Sequence, residues 1–468
     1  MKKARISVLF TMLTLGLIFQ SCQRDDDPLT DSGDIITDDG GDTDISILGN
    51  GIVHEWTDLL LELERYSSGR PNASAWSLAY IYLAAYETMV PAMPGYTSMD
   101  NELRRFRIRD DERADEIDFQ LALNTSFAKV VDHFLLNVSE SLTSSITTLQ
   151  TGIEGQLTTE LTEQVISDSR AWGEYVADQV IAYSQTDDDA EVQILDPQPL
   201  SYEPPTGDGF WTYSADEERA LYPYWGETAR TFIISPDETT AVDPIPYSEE
   251  PGSAYYAEML EVYEENNAAR EADGEQLWIA EFWSDDVEGL MMSPPARQFA
   301  IANQLIEQYD LSLEASLAFY LKLGFALNDA AVAAWKYKYD FMVMRPNVYI
   351  HEFIDPDYQT NLFRLVFWPN PSFPGYPSGH STFASAAGGV FIHTFGNATN
   401  FTDRTHEGRT EFRGEPRTFT SFEQMAEENA FSRIPLGVHI RMDCAEGLRL
   451  GYEIADAINN LNLGGTAF

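Results

Sequence analysis

From Ala296 to Tyr339 the chain reads ARQFAIANQLIEQYDLSLEASLAFYLKLGFALNDAAVAAWKYKY, with apolar residues returning every three or four positions over more than forty residues. Such a period puts the apolar side chains on helix faces and is incompatible with the two-residue alternation of a half-buried strand. The same period recurs in EWTDLLLELERY, ASAWSLAYIYLAAYETMV and DFQLALNTSFAKVVDHFLLNV, and clear period-two stretches are few. The expected fold is therefore mostly α, with helices packed as bundles. Between about residues 187 and 252 the text changes to Pro, Tyr, Trp and Asp, as in LDPQPLSYEPPTGDGFWTYSADEERALYPYWGE, which predicts a long irregular excursion and not a separate domain. No fixed-period repeat of the solenoid kind is present.

The 468 residues carry 76 acidic against 29 basic side chains, a formal charge of -47, which argues against binding nucleic acid or anionic lipid through a general basic field. An anion bound by this chain needs a local pocket of positive charge, so closely placed Lys and Arg are informative. Lys2, Lys3 and Arg5 precede an apolar run from Ile6 to Phe19, the pattern of an export signal. LIFQSCQRDDD resembles a lipoprotein signal in which Cys22 takes the lipid; Phe19 departs from its usual Leu, which leaves plain secretion as the alternative. The acidic residues after Cys22 resemble the surface-export signals of Bacteroidetes lipoproteins. Residues 23–50 hold nine Asp against one Arg24, too polar to order themselves. The expected division is a signal peptide over 1–21, a tether over 22–50 and an all-α domain over 51–468. Within that domain an N-terminal region runs to residue 300 and a C-terminal bundle covers 301–468. After residue 22 no apolar run approaches the ~20 residues that spanning a bilayer needs. Cys444 then has no disulfide partner and is expected as a small buried residue.

Three short pieces in the C-terminal third carry chemistry. KYDFMVMRP sets Lys338 seven residues before Arg345, two helical turns, which predicts both cations on one face with Pro346 ending the segment. PGYPSGHSTFASAAG places Pro377, Ser378 and Gly379 as a turn into a helix starting near His380. A helix start offers free N–H groups, Ser378 a hydroxyl and a cap, and Gly379 close backbone approach. SRIPLGVHIRMDCAEGLRLG sets Arg433 six residues before His439 and Asp443 four after it, so a helix from Gly437 would put His439 and Asp443 on one face. Taken alone, each piece is more often something plainer: a solvated face for the first, a structural or surface histidine for the second, an amphipathic core helix for the third. Together they supply two Arg, one Lys, a hydroxyl, a glycine N–H and two imidazoles, the set a tetrahedral oxyanion requires. At average composition this ordered set arises by chance roughly once in a million chains or less.

The set resembles the shared signature of the vanadium-dependent haloperoxidases and the type 2 phosphatidic acid phosphatase superfamily, with every position present. The resemblance extends through ASAWSLAYIYLAAYETMVPAMPGYTSM, FWSDD and LNDAAVAAWKYKY, and so covers most of the chain after the tether. It implies the all-α haloperoxidase fold, two packed helical bundles with the anion at the mouth of the C-terminal one, and vanadate as cofactor, with His439 the vanadium ligand and His380 the acid/base residue. Lys338, Arg345, Ser378, Gly379 and Arg433 would complete the oxyanion cradle together with His380. In a peroxidase, hydrogen peroxide would enter with proton help from His380, Lys338 would polarise it, and a halide would leave as hypohalous acid.

A soluble phosphatase of the same superfamily would use the same cradle, with His439 as nucleophile and His380 protonating the leaving alcohol. Trp335 and Phe373 stand where the haloperoxidases line the halide side of the pocket, though either could be core packing. Algal bromoperoxidases of the family carry His where this chain has Phe373. With the export signal, the resemblance is to bacterial iodoperoxidases, so iodide is expected before bromide. Asp329 is either a partner to a site cation or a buried cap. His54, His133, His351, His393 and His406 match no motif and are expected to be structural. The expected partners are hydrogen peroxide and halide, with no nucleic acid, and the membrane only through the lipid anchor.

Overall fold

Helices make up nearly all of the regular structure, as the three- and four-residue repeat requires. The computed structural model describes residues 50–465 apart from 68–69, 137, 188, 214–218, 286, 288 and 363–369. The expected signal peptide, Cys22 and the tether up to residue 49 lie outside the described residues.

The first half contains α1 (Gly51–Glu64), α2 (Asn72–Met89), α3 (Phe119–Phe134), α4 (Glu140–Leu157), α5 (Glu163–Ser184), the short α6 (Ala190–Leu195) and α7 (Trp225–Thr228), α8 (Ala254–Ala272) and α9 (Glu275–Phe282). Then follow α10 (Pro294–Tyr309), α11 (Leu313–Phe341), α12 (Pro346–Phe353), α13 (Gly379–Phe395), α14 (Phe422–Phe431), α15 (Arg433–Leu436) and α16 (Arg441–Asn459). A small antiparallel pair, β1 (Phe401–Asp403) and β2 (Arg417–Phe419), aligns Phe401 with Phe419. Many helix starts are set by a side-chain oxygen that takes an otherwise orphaned N–H: Asp118 for α3, Ser253 for α8, Ser312 for α11 and Ser378 for α13.

α11 is the axis of the molecule, packing on α2 from one side and on α13 and α16 from the other. Its Gly324 lies so near α2 that an added Cβ would sit 3.0 Å from Ala79 Cα, and alanines such as Ala326 and Ala330 keep the helices close. One hydrophobic core therefore runs from Val53 and Trp56 through α2 and α11 to Ile454 and Leu463. Residue 300 lies inside α10, so the division between the halves falls within a helix. α11 is also long and apolar enough to cross a bilayer, although charged and polar residues interrupt its apolar runs. Yet 94% of its most apolar window is buried within the protein.

The α13 and α16 pairing builds the site. A Cβ at Gly447 would meet Ser378 O at 2.5 Å, and one at Gly451 would meet Ser385 Oγ at 2.1 Å. Only glycine permits that approach, which draws the start of α13 against the start of α16.

The excursion after α5 is irregular as expected, with α6, α7 and a single turn at Pro236–Glu238 inside it. It is tied down by buried carboxylates. Asp187 accepts from Arg230 N (2.7 Å), Trp76 Nε1 (3.0 Å) and Tyr80 OH (3.2 Å). Asp329, on α11, accepts from the backbone N–H groups of Phe232 (2.7 Å), Ile233 (2.9 Å) and Ile234 (3.0 Å), and from Asn328 Nδ2 (3.2 Å). Of the two alternatives for Asp329, the structure places it as a cap that anchors the excursion, with no site cation among these partners. The reason is geometric: a carboxylate facing three successive amides is filled by them.

Candidate active site

The last turn of α11 carries Lys338, which is wholly buried. The helix then breaks at Met342, in the left-handed region at φ 51, and the next residues run extended to Arg345, which caps α12 with Pro346 in its first turn. Lys338 and Arg345 are thus not on one helical face, and Pro346 opens a helix instead of ending one. Proline suits the first helical position because its missing N–H is one that has no partner there. His439 likewise stands two residues ahead of α16, after Gly437 at φ 92, and not on a helix running from Gly437. Asp443, in the first turn of α16, reaches back to it.

The buried side chains converge from these breaks. Arg345 donates from Nε to Phe373 O (2.8 Å) and from Nη1 to Val438 O (2.8 Å), and Nη1 lies 3.0 Å from His439 Nε2. Lys338 Nζ donates to Pro374 O (3.0 Å), Gly375 O (3.1 Å) and Pro377 O, all in the loop before α13. Arg433 Nη1 donates to Trp283 O (2.9 Å) and Ser284 O (3.3 Å). His380 Nε2 lies 3.0 Å from the same Ser284 carbonyl, so this nitrogen carries the proton in that contact. Ser378 is buried at the N-cap of α13, its Oγ 3.4 Å from Ser381 N and its own N–H donating to Asp443 O at 2.9 Å.

His439 Nδ1 is 2.9 Å from Asp443 Oδ2, which also accepts from Ile440 N at 3.3 Å. A carboxylate beside Nδ1 holds the proton there and leaves the lone pair on Nε2, where the Arg345 guanidinium can donate to it. Burial first, then Arg345, Lys338, Arg433 and His380, push the His439 pKa well below its ordinary value, which keeps the imidazole neutral. Of the four, Arg345 touches the ring, and the other three act on it through their charge. Burial, with Arg345 second, also lowers Lys338, while burial raises Asp443 against the pull of Lys338 and Arg345.

On one flank Trp335 and Phe373 pack with ring centroids 4.9 Å apart, and Lys338 Nζ lies 5.8 Å and 5.0 Å from the two centroids. A Cβ on Gly379 would project to 3.4 Å from the Trp335 ring and 3.8 Å from Lys338 Cε, into the space these groups share. The donor set is one neutral imidazole among guanidinium, ammonium, hydroxyl and backbone N–H groups. That set suits an oxyanion centred on an atom able to bond to nitrogen, and the residues present fit vanadate. Among the described residues, no group of three or more His, Cys, Asp or Glu is assembled to hold a bare metal ion.

The structure brings together Lys338, Arg345, Ser378, Gly379, His380, Arg433, His439 and Asp443, with Trp335 and Phe373 beside them; it leaves Asp329 in the excursion anchor. Sequence reasoning missed the Ser284 carbonyl, shared by His380 and Arg433. FWSDD was a visible motif, but a backbone oxygen has no residue code to betray it. His406 is buried against Arg297, as a structural residue would be, its Nε2 3.1 Å from Phe282 O.

An all-α fold in which a neutral His439 faces Lys338, Arg345 and Arg433, with His380 in the same site, defines a site for a tetrahedral oxyanion. Residues 318–463 match the family model of the VCPO second helical-bundle domain. Over 281 residues the chain is 25% identical to the vanadium chloroperoxidase of Curvularia inaequalis, a match spanning 48% of this chain and 46% of that protein. The chain thus matches about half the length of that relative. The fold is similar to a bacterial vanadium-dependent iodoperoxidase, with TM-score 0.77, 24% identity, and coverage of 89% of this chain and 97% of that one. It is also similar to a bacterial vanadium-dependent chloroperoxidase in its holo form, with TM-score 0.65, 16% identity, and coverage of 85% and 93%. The family match covers residues 318–463, and the likeness to the two bacterial structures is one of fold.

Proposed function

We propose that this protein is a vanadium-dependent haloperoxidase that uses hydrogen peroxide to oxidise a halide, iodide before bromide, to hypohalous acid. The observation that carries the proposal is the neutral His439, its Nε2 lone pair set by Asp443 among Lys338, Arg345 and Arg433. His439 Nε2 would hold vanadate, and Lys338, Arg345, Ser378, Gly379, His380 and Arg433 would surround its oxygens. When bound, vanadate would supply Lewis-acid activation of peroxide. His380, held by the Ser284 carbonyl at one nitrogen, is placed to take and return a proton at its other nitrogen. The Lys338 ammonium provides positive charge at the reacting oxygen, and the Trp335 and Phe373 rings exclude water on the halide side. Iodide is supported by Phe373 in place of His and by the likeness to an iodoperoxidase. The export signal and Cys22 support a lipid anchor on the cell surface, which incorporation of labelled palmitate into wild type but not Cys22→Ala would test.

The same neutral imidazole would serve a phosphatase as a nucleophile, so the test runs both reactions. Peroxide-dependent iodide and bromide oxidation is measured with added vanadate, and phosphate-ester hydrolysis without it. Vanadate-dependent iodide oxidation is the expected result. Ester hydrolysis with no vanadate-dependent halide oxidation would overturn the proposal.

A further inference from the structure

Three tyrosines are about equally exposed, Tyr66 (42%), Tyr309 (41%) and Tyr224 (40%), but they stand in different relations to the candidate site. Tyr224 lies in a turn that is stitched to both aromatic walls. The Leu221 carbonyl accepts from Trp335 Nε1 (3.2 Å) and from Tyr339 OH (2.7 Å), and Leu221 N donates to Ser372 O (2.9 Å), next to Phe373. Two residues beyond Tyr224, Gly226 is pressed onto α11, where a Cβ would come within 2.1 Å of Lys336 N. Three residues of chain reach at most about 10 Å, so Tyr224 stays within that span of Leu221. In this turn Tyr222 and Trp225 point inward with no exposure, and Tyr224 points out. Of the two walls, Phe373 (8% exposed) is nearer the surface than Trp335 (1%), and its neighbour Ser372 is bonded to this turn. The ring of Tyr224 continues inward edge-on to Tyr202 (5.8 Å), and Tyr202 to Tyr339 (5.6 Å). Tyr309 instead stacks on Phe395 at 4.8 Å, at the far end of α13. Fifteen residues of helix put that ring about 22 Å from His380.

We propose that Tyr224 is a self-iodination site, of the three exposed phenols the first met by electrophilic iodine leaving the pocket. The inference rests on the haloperoxidase reading above. One hydrogen peroxide, one iodide and one proton give hypoiodous acid and water, the peroxide oxygen gaining the two electrons that iodide loses. Hypoiodous acid then attacks a Tyr224 ring carbon ortho to the phenol oxygen. The C–I bond forms, the C–H bond breaks, and the ring proton leaves with hydroxide as water.

The test loads the full chain with orthovanadate, adds iodide and less than one equivalent of peroxide per tyrosine, and reads iodinated peptides by mass spectrometry. Triiodide absorbance is recorded in parallel. Vanadate-free protein treated with molecular iodine gives the reactivity set by exposure alone. During turnover Tyr224 should be labelled about tenfold ahead of Tyr309, because it meets a higher local concentration of product, whereas added iodine should label the two alike. Tyr224→Phe should lose the adduct and keep the rate of triiodide formation. Triiodide with equal labelling of Tyr224 and Tyr309, or with Tyr66 labelled first, would overturn the proposal and leave the haloperoxidase reading intact. Absence of triiodide would overturn that reading and the modification with it.

Discussion

Asp329 and Asp443 are both wholly buried carboxylates near α11, and they are satisfied differently. Asp329 has both oxygens filled by four donors, three of them backbone amides of the excursion. Asp443 engages one oxygen with His439 and Ile440, while its Oδ1 has no hydrogen-bond partner. Burying a carboxylate costs free energy, and a structural site recovers it with a full set of donors. Asp443 is instead held in the field of Lys338 and Arg345, where its one bond decides which nitrogen of His439 keeps the lone pair. The comparison teaches that burial alone does not mark a functional acid; incomplete satisfaction beside a second titratable group does.

The largest effect should come from His439→Ala. It removes the nitrogen to which both carboxylate and cations are directed, and should lower vanadate-dependent iodide oxidation at least ~1,000-fold, with a urea midpoint close to wild type. Asp329→Ala should do the opposite. Leaving three amides unpaired at about 1–3 kcal/mol each predicts a loss of roughly 3–9 kcal/mol in urea unfolding, with iodide oxidation per folded molecule retained. Loss of activity at unchanged stability in that variant would break the comparison. Asp443→Asn keeps the volume but weakens the hold on the His439 tautomer. Vanadate affinity measured by calorimetry should fall about 10- to 100-fold with stability changed by less than ~1 kcal/mol.

Glu87 sharpens the same contrast through pH. Burial raises its pKa from 4.5 to about 7, against the Ser98 hydroxyl and Met99 amide that bond to it. A folded-state value above the unfolded one means the protonated acid favours the fold. The contribution is complete below the unfolded value and is lost as pH climbs through about 7. The unfolding free energy of wild type relative to Glu87→Gln should therefore decline by about 3 kcal/mol across that window, at about 1.4 kcal/mol per pH unit. A flat difference between the two proteins would show that the Ser98 and Met99 donors fully offset the burial of Glu87.

Much of the molecule was legible in the residues alone. Periodicity placed the helices, because burial on one face of a helix imposes a local, repeating demand on the sequence. The excursion was visible as a loss of that period and a rise in Pro and aromatic residues. The members of the cradle were visible as a set of side-chain types, since an oxyanion can be held only by cations and N–H or O–H donors. Their arrangement was not. Seven-residue spacing suggested one helical face for Lys338 and Arg345, but Met342 at φ 51 splits them between two elements. Asp329 could be read either way until the amides of Phe232 to Ile234 were found against it.

By itself the sequence determined that the chain would be helical, where the helices would run, and which side chains could meet an anion. Only the tertiary structure decided that Lys338 and Arg345 approach from two elements, that His439 is neutral with its lone pair on Nε2, and that Ser284 offers its carbonyl to His380 and Arg433. The physical reason is that period and side-chain chemistry are properties of single segments. Tautomer, pKa and the use of a backbone carbonyl depend on how closely separate segments approach. At the center of this protein that approach is set by Gly447 and Gly451 lying against α13.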